Sequence, residues 1–275
     1  MRTRILVTVV MLLVVGSMVK AQAPEPELHG WADLTFSGKY VWRGFDIFKD
    51  KSAIHAGVDL NYNGLGIDIM GHRANGGGFE NSERWDYNLY YMNGLFMDQS
   101  YALQYRLGWV YYNFPDNSSQ VADLQELHAI LSLPKICPVG VVPSYVLVKL
   151  WPSESGSLVA SRVDLSTGQP STGTASGWAH IFMLDYALKT VGILPETPEQ
   201  VWNFHAEAVF NDGVGPGGQN VDHDWSNAVF GVSTDFDLAE NLTLTPGLYH
   251  QITMDKSVND DRDETWVSVG LRYKF

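Results

Sequence analysis

The strongest constraint on this chain lies in residues 265–275. Thr265, Val267, Val269, Leu271, Tyr273 and Phe275 fall on one face of an extended backbone, and Trp266, Ser268, Gly270, Arg272 and Lys274 on the other. A period of two is the signature of a strand, and here it separates an apolar face from one that carries two cations. At about 3.3 Å per residue a tilted strand of this length crosses a hydrocarbon core of roughly 30 Å. The spacing predicts lipid on one side and water on the other.

The alternation recurs along the chain. It predicts strands over residues 31–44, 54–62, 65–72, 85–91, 101–111, 126–133, 139–151, 177–188, 202–211, 228–236, 242–253 and 265–275. Asn63-Gly64 reads as a two-residue hairpin turn. Residues 139–151 are apolar on both faces, so the pattern does not set their register, and Pro143 there points to a bulge or a distorted pairing. About twelve strands, joined by short and long connections in alternation, describe an all-β, antiparallel, up-and-down transmembrane β-barrel. The even count puts both ends in the periplasm and the long loops outside. Trp42, Trp85, Trp109, Trp178 and Trp202 fall near strand ends on the outward face, where interface aromatics belong.

The amino terminus is of a different kind. Arg2 and Arg4, an apolar run over residues 5–15 and Ala21-Gln22-Ala23 have the form of a secretory signal, expected at 1–23. A periplasmic leader over 24–30 and a single barrel over 31–275 follow. Loss of Arg2, Arg4 and Lys20 with the signal takes the net charge from −13 to −16. A surface so acidic repels phosphates, which argues against nucleic acid as a partner. The single cysteine, Cys137, has no partner for an internal disulfide.

Inward positions carry the candidate chemistry: Lys39, Arg43, His55, Asp59, Asp68, Asp86, Arg106, Glu126, His128, His205, Glu207 and Arg272, with His72, Asp185, Asp235 and Lys274 also on that face. Both signs of charge favour small polar solutes over one selected ion. The same residues, paired with each other, would instead close the lumen, and the sequence leaves both arrangements open. Arg43 and Arg106 are candidates for solute contact, or for pairing with Asp59 or Asp86 across neighbouring strands. The inward histidines lie on different strands without ligand spacing, so neither a metal nor a cofactor is expected. The acidic runs 222–224 and 259–264 lack the spaced ligands of a calcium loop and read as solvated loops. A lipid-hydrolysing barrel would need a Ser/His pair, and Ser226 with His180 or His223 is all that can be assembled, so catalysis is not expected. A structural or adhesive barrel presenting the loop 152–176 is a further alternative.

The final strand resembles the closing strand of bacterial outer-membrane barrels, whose terminal aromatic is similar to the signal read by the barrel-insertion machinery. Tyr273 and Phe275 are the corresponding residues here. Separately, Ser37-Gly38-Lys39-Tyr40-Val41-Trp42-Arg43-Gly44 resembles the opening motif of the TorF (Gcw_chp) family, with the match on Ser37, Tyr40, Trp42, Arg43 and Gly44. The resemblance implies one barrel over about residues 30–275 and a porin function, itself assigned to that family by inference. The partners expected are therefore outer-membrane lipids, the insertion machinery during assembly, and small polar solutes.

Overall fold

The computed structural model describes residues 28–75, 83–116, 123–153, 162–164, 169–171, 176–193, 198–212 and 223–275. The signal expected at 1–23, the leader up to residue 27 and most of the loop 152–176 lie outside them. Twelve strands cross the molecule: β1 (Leu28–Ser37), β2 (Ser52–Tyr62), β3 (Leu65–Asn75), β4 (Glu83–Leu95), β5 (Leu103–Asn113), β6 (Leu124–Ser132), β7 (Val142–Pro152), β8 (Gly177–Val191), β9 (Glu199–Asp212), β10 (Asp224–Thr234, resumed at Phe236–Ala239), β11 (Leu242–Thr253) and β12 (Glu264–Lys274). Each pairs antiparallel with its sequence neighbour, and β1 pairs with β12 from Trp31↔Lys274 to Ser37↔Ser268. The sheet is thus a closed barrel, with no edge left to seek a partner.

Alternation decides which side chains face out. Leu34, Phe36, Ile54, Leu60, Ile67, Leu89, Leu107, Leu127, Phe230 and Val267 all lie exposed on the outer surface. A soluble protein rarely leaves so many large apolar groups in water, whereas acyl chains receive them without penalty. Trp85, Trp109 and Trp178 join this surface as predicted.

Two expectations need correction, and a third is explained. The first predicted strand does not run to Gly44: β1 ends at Ser37, and the chain then turns inward as a small hairpin that pairs Val41↔Asp46 and Trp42↔Phe45. Trp42 and Tyr40 are therefore inside the barrel, not on its lipid face. The alternation misled because a lumenal hairpin is extended too, and its aromatics repeat at the same interval as lipid-facing ones. At Pro143 the β7–β8 pairing continues to Leu184 without a register shift. The bulge lies instead between β9 and β10, where Val209↔Asn227 is followed by Phe210↔Trp225, leaving Ser226 over. Finally, β7 is apolar on both faces because Val146 and Val148 point inward onto Ala179, Ile181 and Val209.

Candidate functional site

The hairpin divides the lumen. Its turn is Arg43-Gly44, both with positive φ (50° and 90°), as a two-residue turn with the strand twist requires. Arg43 adopts this conformation at some cost, and only glycine fits the second place: a Cβ on Gly44 would come within 2.5 Å of Asn227 Oδ1. The Gly44 carbonyl accepts hydrogen bonds from Gln251 Nε2 (2.8 Å) and Asn259 Nδ2 (2.5 Å), so the turn is fixed to β11 and to the loop after it. Asn259 Oδ1 also accepts from the Asp46 amide at 2.8 Å, and Val258 packs on Phe45. The run 259–264, expected to be solvated, is in part the clamp that seats the hairpin.

Beneath the hairpin lies a packed ionic and aromatic network. Arg84, on β4, is fully buried and bonds Asp86 through Nε (2.6 Å) and Nη2 (2.7 Å). Its guanidinium is 4.2 Å from the Trp42 ring centroid and 4.3 Å from that of Tyr112. Arg43 Nη2 meets Glu126 Oε2 at 2.5 Å, and Glu126 also accepts from Tyr112 Oη at 2.7 Å and contacts His128 Nδ1 at 3.3 Å. His72 reaches Asp86 through Nε2 (3.3 Å) and His55 through Nδ1 (2.6 Å), with Tyr40 stacked on its ring at 4.6 Å. Such bidentate pairs, shielded by aromatic faces, hold position far better than exposed ones.

Arg84 escaped the sequence reading. It falls between the strands predicted at 65–72 and 85–91, yet it pairs with His72 across β3 and β4. The one available signal was its place two residues before Asp86, on the same side of a strand.

The remaining candidates lie in smaller groups. Asp59 accepts from Tyr90 Oη at 2.8 Å through both oxygens, and Arg106 stands 3.7 Å above the Tyr90 ring. Arg106 thus meets an aromatic face, and Arg43 meets Glu126; neither pairs with Asp59 or Asp86 as the sequence reading allowed. Asp68 is opposite Asp59 in the β2–β3 ladder. Arg272 bonds Asp33 at 3.2 Å and stacks on Trp31. Lys39 holds Asp50 at 2.5 Å and also Glu264. Burial works against the Lys39 charge, but these two carboxylates lift its pKa above the ordinary value. Asp46, Asp50 and Glu264 are close enough to share a cation, and the Lys39 ammonium occupies that role for two of them. Tyr273 and Phe275 stack on the outer face at 6.2 Å, and Phe275 exchanges two backbone hydrogen bonds of 3.0 Å with Gly30.

The residues considered for hydrolysis are engaged elsewhere. Ser226 Oγ donates to the Val209 carbonyl at 3.2 Å, His180 pairs with Tyr145 Oη at 2.7 Å on the lipid side, and His223 Nδ1 meets Asp212 at 2.5 Å.

Opposite the packed network, β8–β11 border a cavity of about 540 Å³. Asp185, Asn203, His205, Ser233 and Tyr249 face it. His205 Nδ1 is 2.7 Å from Asp185 Oδ1, and its Nε2 is 3.8 Å from Glu207 Oε2.

Comparison with solved structures identifies this architecture. The chain resembles the NanC porin with a TM-score of 0.55 at 10% identity, covering 89% of this chain and 100% of that one. It resembles the KdgM porin, in its complex with disordered oligogalacturonate, with a TM-score of 0.52 at 10% identity over 89% and 99% of the two chains. The fold is the closed β-barrel that these two proteins share. No family model matches the chain, and no curated protein is similar in sequence. At this identity the likeness concerns backbone architecture, so the hairpin network and the cavity are read from this chain's own residues.

Proposed function

We propose that this protein is an outer-membrane porin that passes small hydrophilic solutes passively, along the side of the lumen that its inner hairpin leaves free. The observation that carries this reading is the closed barrel whose interior is polar on β8–β11 and includes the cavity of about 540 Å³. The KdgM porin, of like fold, is described in complex with disordered oligogalacturonate, which supports a hydrophilic cargo. In this reading the hairpin is the constriction. The TorF-like motif then acquires a structural meaning: Trp42 packs the network, Arg43 ties it to the far wall, and Gly44 makes the turn. Membership of that family, export through the amino-terminal signal and use of Phe275 in assembly belong to the same proposal.

Reconstitution in planar bilayers tests it. Stepwise conductance is expected, and replacement of residues 39–50 by a Gly/Ser linker of equal length should raise the unit step. A purified, folded barrel that never conducts would overturn the channel. For assembly, Phe275→Ala should leave the protein unassembled in the periplasm, and normal insertion would remove that part of the proposal.

A further inference from the structure

The cavity beside β8–β11 differs in charge from the rest of the lumen. Elsewhere in the lumen four cations have carboxylate partners, Lys39 with Asp50 and Glu264, Arg43 with Glu126, Arg84 with Asp86 and Arg272 with Asp33, while Arg106 lies over the Tyr90 ring. Asp185 lines the cavity, and two more carboxylates stand behind its lining, Glu207 at 3.8 Å from His205 and Asp235 at 3.4 Å from Asn203; among the described residues neither lysine nor arginine lines it. Among the described residues that line the cavity, His205 alone can carry positive charge, and it is shared between Asp185 and Glu207. Even with His205 protonated, three carboxylates face one cation.

The second feature is aromatic. Tyr249 lies against Gly231 and Gly247, where a Cβ would come within 2.6 and 2.8 Å of its ring atoms. Only glycine at both places lets the ring lie flat on the wall, and Trp266 lies nearly parallel to it, centroids 5.4 Å apart and planes 14° apart. A flat ring presents its electron-rich face rather than its edge, and that face attracts cations. The size of the cavity suits a small organic molecule better than a bare ion.

From the cavity, its uncompensated carboxylates and this aromatic wall together, we infer that the cavity is a binding station for small organic ammonium ions, selecting cations over anions in transit. Asp185 and Glu207 supply the attraction, Asn203 and Ser233 the hydrogen-bond acceptors and donors, and Tyr249 the face on which the alkyl part of the ion rests. This inference rests on the proposed channel and names its solute class. An anionic solute of equal size would meet the carboxylates with no opposing lysine or arginine.

Bilayer recordings separate the two. In a KCl gradient the native protein should favour K⁺ over Cl⁻ on the order of tenfold, because a cleft lined with one sign of charge concentrates its counter-ion. Asp185→Asn with Glu207→Gln should bring that ratio close to one while conductance persists. Tetramethylammonium chloride should reduce the K⁺ current, and Tyr249→Leu should raise the concentration needed by roughly two- to fivefold. A conducting channel that shows no cation preference, or one indifferent to tetramethylammonium, overturns the station and leaves the porin reading in place. Absence of any conductance overturns both.

Discussion

The two halves of the lumen are built on the same twelve-strand frame but solve opposite problems. On the side of β3–β6, charge is buried: Arg84, Asp86, Arg43 and Glu126 have lost water and must satisfy each other, and aromatic rings seal them. On the side of β8–β11 carboxylates remain beside open volume, with His205 between Asp185 at 2.7 Å and Glu207 at 3.8 Å. A carboxylate under the hairpin, such as Asp86 or Glu126, is therefore a structural bolt, while one beside the open volume, such as Asp185, is free to meet solute. The lesson is that a list of lumen-facing ions says little about conduction until the chain's own insertions have been placed.

The contrast gives a ranked set of perturbations. Arg84→Leu should be the most damaging, since it strands the Asp86 carboxylate in a dry site; a loss of roughly 3–5 kcal/mol is expected, read as a lower urea midpoint for the folded barrel in detergent. Gly44→Ala forces a Cβ onto Asn227 in a left-handed turn and should cost about 1–3 kcal/mol, visible also as faster proteolysis of the hairpin. Next comes Lys39→Met, which breaks an exposed contact with Asp50 and leaves the buried Glu264 without its cation, and should cost about 1–2 kcal/mol in the same titration. Smallest of all, Ser233→Ala beside the cavity should stay within about 0.5 kcal/mol of the native protein. If Ser233→Ala matched Arg84→Leu, the division between a packed and an open half would be wrong.

Much of this was legible from spacing. The lipid-facing side chains announced themselves through Leu, Ile and Val at alternate positions, and the turn at Asn63-Gly64 fixed the β2–β3 register. The failures share one cause: local pattern records extension but not destination. Trp42 repeats in step with Leu34 and Phe36, yet the chain has already left the wall, and only Gly44, a residue suited to positive φ, hinted at it. Arg84 was lost for a related reason, because its surroundings are supplied by Trp42, Tyr112 and Phe114 from distant segments. A pairing that depends on three separate stretches of chain leaves no periodic trace in any of them. The inward apolar run on β7 likewise looked ambiguous until Ala179, Ile181 and Val209 were seen to meet it.

The hairpin springs from the end of β1, while the groups that grip its turn, Gln251 and Asn259, come from β11 and from the loop leading into β12. Because β1 and β12 form the seam where the cylinder joins itself, the inserted loop is riveted from both margins of that join. A seam zipped with the loop left outside would forfeit both rivets, so the plug doubles as a latch on the finished wall.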